Sequence, residues 1–168
     1  MQLLVIRHAI AEDAEKFAAT GADDSLRPLT KPGKRKMKEV AAGLREIVET
    51  LDVIGASPLL RAQQTAEIVA KAYGDLPVST VRALSPGSDP SGLVDWLGQH
   101  ASAEVVAIVG HEPHLGMLVT WLTTGARDSR VAMSKGGAAL LEFSSGVAAG
   151  SGILQWLLTG SQLRRIGR

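Results

Sequence analysis

Two short runs of aliphatic residues, each followed by a histidine, constrain the fold of this chain more than any other feature. Residues 3–6 are followed by Arg7 and His8, and residues 105–109 are followed by a glycine and His111. Aliphatic runs without polar alternation are typical of strands buried on both faces, as at the centre of a parallel sheet. Because ligands of such sheets bind beyond the carboxyl ends of the strands, the residues after each run are candidate site residues.

The composition is that of a chain able to bury one complete core. Of 168 residues, 45% are hydrophobic and 21% are charged, and we expect residues 1–168 to form a single domain. The formal charge of +1 creates no large field, so charge gives no indication of nucleic acid or membrane binding. There is no cysteine, which excludes disulfides and thiolate chemistry. No segment approaches the ~20 apolar residues that cross a bilayer, so we expect a cytoplasmic protein.

Between and after the two runs, helical and strand patterns alternate, which indicates the α/β class. Apolar spacings of three and four predict helices that follow Thr30, Pro58, Asp89 and His114, and β-branched runs predict strands at residues 53–56 and 78–81. Ser57 and Pro58 are predicted as the N-cap and first residue of the second helix. Residues 138–143 and 153–158 predict an antiparallel hairpin, and the last ten residues a frayed basic tail.

The helix that begins after Thr30 has an unusually basic start. Its first two turns carry five cations, which are Lys31, Lys34, Arg35, Lys36 and Lys38. Positive charge at a helix start opposes the helix dipole, so helix stability does not explain these residues. Two interpretations remain open, namely a solvated face and a docking surface for an acidic partner.

Three predicted strand ends deliver groups suited to a phosphoryl group. Arg7 and His8 follow the first strand, Arg61 lies in the first turn of the helix after the second strand, and His111 follows the late strand. Arginine binds phosphate oxygens through planar, bidentate hydrogen bonds, and helix amides near Arg61 add partial positive charge. A neutral imidazole can attack phosphorus in line and carry the phosphoryl group while neighbouring cations stabilise its oxygens.

The order of these motifs resembles the histidine phosphatase superfamily. The segments that carry the resemblance are Arg7-His8-Ala9, Arg27-Pro28-Leu29-Thr30 with Gly33, Ser57-Pro58-Leu59-Leu60-Arg61-Ala62 with Gln64-Thr65-Ala66, and Gly110-His111. They span the chain from residue 2 to about residue 158, and they look most like the small bacterial SixA-type phosphohistidine phosphatases. The resemblance implies a three-layer α/β/α fold with a central, mostly parallel sheet, as in phosphoglycerate mutase-like proteins. It implies no metal ion and no organic cofactor.

The same resemblance implies a role for each candidate residue. His8 would be the phosphorylated nucleophile, and Arg7, Arg61 and His111 would complete the phosphate pocket. The implied substrate is phosphohistidine on a protein. The rival interpretations are a phosphatase for a small phosphate monoester and a phosphate-binding module without turnover. A nucleic-acid role is disfavoured, because the basic residues are scattered and aromatic residues are only 4% of the chain.

Residues 10–29 form a polar stretch without sustained apolar periodicity, which predicts a long loop with room for one helical turn. Arg27 lies near its end and has two possible partners. It can reach the phosphate from the loop, or it can pair with Asp23 or Asp24.

The segment after the third strand departs from the pattern of larger superfamily members. Those proteins carry an acidic proton donor there, whereas residues 82–86 of this chain contain no carboxylate. An alkoxide leaving group needs a positioned acid, but the imidazole of phosphohistidine leaves more readily. The departure therefore favours a phosphoramidate substrate. Glu12, Asp13 and Glu112 remain alternative donors.

The remaining conspicuous residues have structural interpretations. His114 is three residues from His111, but no further ligands accompany the pair, so we expect a structural histidine. His100 is expected to be solvated, and Trp96, Trp121 and Trp156 are expected in the core. The loop with Arg127, Arg130 and Lys135 is either a solvated loop or a substrate-selecting one.

Overall fold

The two aliphatic runs form the two central strands of a six-stranded sheet. The structure is a computed structural model that describes residues 1–168. In chain order the strands are β1 (Gln2–Arg7), β2 (Val53–Ala56), β3 (Val78–Thr80), β4 (Val105–Gly110), β5 (Ala138–Glu142) and β6 (Ile153–Leu158). Their order across the sheet is β3-β2-β4-β1-β5-β6. The first four strands are parallel, and β5 and β6 form the predicted antiparallel hairpin.

Helices cover both faces of this sheet. They are α1 (Ala14–Ala18), α2 (Lys31–Ile47), α3 (Leu60–Ala72), α4 (Ser91–Gly98), α5 (His114–Thr124) and α6 (Gly160–Ile166). One core joins Leu4 and Ile6 of β1 to α2, α3 and α6, and the other joins Leu3 and Val5 to α4 and α5. Alternate side chains of β1 thus point into opposite cores. The predicted three-layer α/β/α fold is confirmed, and no helix has the length and apolar character needed to span a membrane.

The prediction of a frayed carboxyl-terminal tail is wrong. Thr159 and Gln162 form a capping box that starts α6, with Thr159 Oγ1 accepting from the Gln162 backbone and Gln162 Oε1 accepting from the Thr159 backbone. Leu163 is fully buried against the core below α2. A capping box and one apolar anchor are therefore enough to order this arginine-rich end.

The stretch between β1 and α2 is more structured than predicted. It contains α1 and a 3₁₀ turn at Asp24–Leu26, and the isolated bridge between Ala11 and Leu29 joins its two ends. The stretch therefore leaves the sheet edge and returns to it, and its middle lies over the carboxyl ends of the parallel strands through the contact of the 3₁₀ turn with α3.

Candidate active site

His8 and His111 lie side by side at the carboxyl ends of the two central strands. In the register of β1 and β4, Arg7 is opposite Gly110, so the next residue of each strand is a histidine. The ring centroids are 5.1 Å apart with an interplanar angle of 53°, and both side chains are buried. The chain thus brings together two imidazoles that are far apart in sequence.

The hydrogen bonds of His8 fix its tautomer. Nδ1 lies 2.7 Å from the Ala9 carbonyl oxygen, which can only accept, so Nδ1 carries the proton and Nε2 keeps a free lone pair. Burial is the main cause that lowers the pKa of His8 to about 4, with the positive charges of Arg61 and Arg7 adding to it. At neutral pH the ring is therefore uncharged and nucleophilic at Nε2.

His111 is also neutral, and its partner is the hydroxyl of Ser57. The Nε2 to Oγ distance is 2.8 Å, and Nδ1 is buried without a partner. Burial is the main cause that lowers the pKa of His111 to about 3, with the positive charge of Arg61 adding to it. The predicted capping role of Ser57 is wrong, because Leu59 is the N-cap of α3. Ser57 instead positions the imidazole.

Arg7 is held by the loop that precedes β5. Its Nη1 donates to the Met133 carbonyl oxygen at 2.6 Å, and its Nε is buried without an acceptor. The Met133 amide in turn donates to Glu112 Oε1 at 2.8 Å. Glu112, Met133 and Arg7 therefore form a chain of hydrogen bonds that sets the position of this guanidinium.

Arg61 lies in the first turn of α3 and is 5% exposed. Its Nη1 donates to the Asp24 carbonyl oxygen at 3.0 Å, and its Nη2 lies 3.1 Å from Asp24 Oδ2. Its Nε is buried without an acceptor, as in Arg7. Both guanidiniums are thus anchored through their Nη atoms and keep a spare donor.

Arg27 takes the second of its two predicted alternatives. Its Nε donates to Asp24 Oδ1 at 2.7 Å, and its Nη1 donates to the Glu12 carbonyl oxygen at 2.8 Å. Asp24 accepts from Arg61 as well, so its carboxylate links Arg27 to the site without Arg27 itself contacting either imidazole. The sequence analysis named Asp24 as a possible partner of Arg27, three residues later, but not of Arg61, because the contact with Arg61 joins residues 37 positions apart.

Thr65 is a second residue that the sequence analysis did not assign to the site. Its Oγ1 donates to the Arg61 carbonyl oxygen at 2.7 Å and accepts from the Ala9 amide at 3.0 Å. One buried hydroxyl therefore ties the first turn of α3 to the residue that follows His8. Its position one turn after Arg61 on the same helix face was the available signal.

None of the three alternative proton donors touches an imidazole of the site. Asp13 caps α1 by accepting from the Lys16 amide, Glu112 accepts from Met133, and the Glu12 side chain is exposed. His114 is buried at the start of α5. No group of three or more His, Asp or Glu residues is placed to hold a metal ion.

His100, the three tryptophans and Arg130 lie away from this site. His100 packs edge-on against Trp96, with ring centroids 4.7 Å apart. The three tryptophans border the cores and are half-buried rather than fully enclosed. In the loop before β5, Arg130 pairs with Asp128 on the exposed surface.

Comparisons with known proteins identify the family of this chain. The profile of the histidine phosphatase superfamily (branch 1) matches residues 3–85. Phosphohistidine phosphatase SixA of Escherichia coli is 31% identical over 169 residues, covering 98% of this chain and 97% of that protein. An uncharacterised protein of Picosynechococcus is 33% identical over 150 residues, covering 88% and 87% of the two chains.

The fold comparison leads to the same group. The structure of the protein histidine phosphatase SixA complexed with tungstate superimposes with a TM-score of 0.81 at 27% identity, covering 97% of this chain and 99% of that one. Near-complete coverage in both directions means that the whole α/β/α unit is shared, including the late strand that carries His111. The chain is therefore a SixA-type member of the histidine phosphatase superfamily.

Proposed function

We propose that this phosphatase removes the phosphoryl group from phosphohistidine on a protein, through a covalent phosphohistidine intermediate on His8. The observation that carries the proposal is the neutral His8 ring, whose Nδ1 donates to the Ala9 carbonyl oxygen and whose Nε2 is free. The centroid of this ring lies 5.1 Å from that of the His111 ring. A nucleophile for phosphoryl transfer needs such a lone pair in a pocket of fixed positive charge.

The phosphoryl group would be held by the anchored cations around His8. Arg7 and Arg61 are fixed through their Nη atoms, and each retains a buried Nε donor without an acceptor. His111 is fixed through Nε2 and retains Nδ1. Unsatisfied buried donors are costly, and a bound phosphate would offer the oxygens that they lack. Because the anchors are preformed, little reorganisation accompanies charge development in the transition state.

The reaction would proceed in two displacements. In the first, His8 Nε2 forms a bond to phosphorus while the bond from phosphorus to the leaving imidazole nitrogen breaks, and that nitrogen takes a proton from solvent. In the second, water attacks phosphorus, the bond to His8 breaks, and inorganic phosphate leaves. Both steps leave Nδ1 of His8 protonated, so the Ala9 hydrogen bond holds the ring in place throughout.

The surroundings of the leaving group support a phosphoramidate over a phosphate monoester. No carboxylate is hydrogen-bonded to either imidazole, and the residues after β3 form a 3₁₀ turn, Arg82–Leu84, without an acid. A monoester would need a positioned acid to protonate its alkoxide, whereas an imidazole departs readily. The relative from Escherichia coli carries the name phosphohistidine phosphatase, which agrees with this choice.

A substrate panel tests the proposal. We expect a phosphorylated histidine protein and free phosphohistidine to be hydrolysed, and phosphorylated sugars and phosphoserine to be turned over far more slowly. Activity confined to the monoesters would reject the substrate assignment. Binding of phosphate without turnover of any compound would instead identify a binding module.

A further inference from the structure

Three cations lie together beside Ala9, the residue that follows His8, and outside the proposed phosphate pocket. Lys36, Lys135 and Arg164 line one shallow depression, and Ala9 is also part of its lining. They come from α2, from the turn before β5 and from α6, so tertiary packing brings them together. We call these three side chains the basic rim.

The basic rim is poorly neutralised within the chain. Lys36 and Lys135 make no ion pair, and Arg164 has a 3.6 Å contact with Glu39 Oε2. Like charges that converge without matching anions repel one another, so their arrangement does not favour stability. Such a cluster is suited to an anion supplied from outside the chain.

The basic rim is directly connected to the proposed nucleophile. Lys135 is close enough for its charge to contribute to the lowered pKa of His8. The next residue, Gly136, donates its amide to the carbonyl oxygens of Arg7 and His8 at 3.2 Å each. The depression that the basic rim lines therefore shares Ala9 and Gly136 with the backbone that holds His8.

The loop between β1 and α2, whose 3₁₀ turn contacts α3, has the opposite charge. It exposes five carboxylates, which are Glu12, Asp13, Glu15, Asp23 and Asp24, of which Asp24 is paired with Arg27 and Arg61. The basic rim and this loop thus carry charges of opposite sign, although the net charge of the chain is only +1. A charge gradient across an entrance orients a charged partner and increases its association rate.

We propose that the basic rim docks a carboxylate-rich surface of the protein that carries the phosphohistidine, an inference that rests on the proposed function. The three cations are too few to follow a nucleic-acid backbone, and no aromatic side chain lines the depression for stacking on bases. Side-chain carboxylates beside a phosphohistidine carry the charge that the three cations lack as a partner.

The test uses two peptides of equal length, each with one phosphohistidine, flanked by glutamates in one and by serines in the other. Native enzyme is expected to favour the glutamate peptide in kcat/KM by roughly tenfold at low salt, and the preference should shrink as salt screens the charges. Lys36→Glu should abolish the preference. Lys71→Glu, with the same charge change at the exposed end of α3, should preserve it.

Two further measurements separate this proposal from the proposed function. Free phosphohistidine should be hydrolysed equally by the native enzyme, Lys36→Glu and Lys71→Glu. If none of them hydrolyses it, the proposed function is rejected but the docking proposal is not. Binding of the unphosphorylated peptides, followed by fluorescence anisotropy, needs no turnover and should show the same preference and the same loss in Lys36→Glu. Equal binding of both peptides, or a preference that survives in Lys36→Glu, would overturn the docking proposal. So would tight binding of a DNA duplex without any peptide preference.

Discussion

The parallel and antiparallel halves of the sheet contribute to the site in different ways. Strands β1, β2 and β4 end at one edge, and the residues after them are His8, Ser57 and His111. The hairpin β5–β6 supplies no side chain to this cluster, and Ile153 at the start of its edge strand is 61% exposed. The parallel half, which is buried on both faces, thus supplies the side chains of the candidate site.

The antiparallel half acts through its backbone. Arg7 donates its amide to the Gly137 carbonyl oxygen at 3.0 Å, and the Gly136 amide contacts the carbonyl oxygens of Arg7 and His8. Gly136 has φ +69°, which a residue with a side chain rarely adopts. The comparison teaches that side chains at parallel strand ends form the candidate site, while the turn into the hairpin fixes the backbone that carries them.

The largest expected effect is that of His8→Ala. Removing the proposed nucleophile should lower turnover by about 10⁴-fold or more and abolish the labelled phosphoenzyme in a rapid acid-free quench. The control is a cooperative thermal unfolding transition, which shows that the variant is folded although a buried side chain has been truncated. Label retained on the variant protein would place the nucleophile elsewhere.

Arg61→Lys sharpens the comparison within the parallel half. The charge remains, but the planar fork that contacts Asp24 and would contact phosphate is lost, so kcat/KM should fall by about 100-fold. Arg27→Lys is the matched variant, since Arg27 contacts the same Asp24 without contacting an imidazole. Its expected loss is less than about fivefold. Equal losses would mean that Arg27 also binds the phosphoryl group.

The pH dependence tests the neutral state of His8. A histidine is protonated and non-nucleophilic below its pKa, so one with an ordinary pKa near 6.5 would lose about tenfold in rate between pH 7.5 and 5.5. Because the pKa of His8 is lowered to about 4, the ring should stay neutral over this interval. The rate of phosphoenzyme formation should therefore fall less than about twofold. A tenfold decrease would contradict the burial argument.

Glu112 lies where the two halves meet, because it holds Met133, which holds Arg7. In Glu112→Ala, the Met133 amide loses its acceptor, so the Met133 carbonyl oxygen no longer holds the Arg7 guanidinium in a fixed position. The inhibition constant of inorganic phosphate should therefore rise about fivefold. Glu112→Gln keeps an oxygen at the same position and should restore most of the affinity. Equal inhibition constants in all three proteins would show that Arg7 needs no such support.

The smallest effect is expected in the hairpin. Leu154 of β6 is 42% exposed and distant in the sheet from the three central strand ends. Leu154→Gln should change kcat/KM by less than about twofold, since surface substitutions rarely alter stability by more than about 0.5 kcal/mol. A tenfold loss of activity would break the distinction between the two halves.

Sequence patterns predicted the strands that a short run of consecutive residues is enough to identify. Aliphatic runs identified β1 and β4, and the residues after them were those that the fold brings together. The pairing of Ser57 with His111 was not predictable, because it depends on β2 lying beside β4. The position of Asp24 between two arginines depends on the path of a loop with no apolar periodicity.

Other errors had different physical causes. Helix α6 was missed because its seven residues are too few for a periodic apolar pattern, and Leu163 is its one buried aliphatic side chain. The tryptophans were assigned to the core from residue type alone, whereas their large rings span the boundary between core and solvent.

The position of β4 between β2 and β1 has a consequence for biosynthesis. When a ribosome has produced the first hundred residues, both inner edges that β4 will later join are still open. At a synthesis rate of roughly 5–20 residues per second, β4 is added seconds after β1 and β2. During that time the unpaired backbone groups of β1 and β2 are available for wrong pairing. A truncated transcript ending before Val105 would yield an aggregation-prone fragment rather than a weak enzyme.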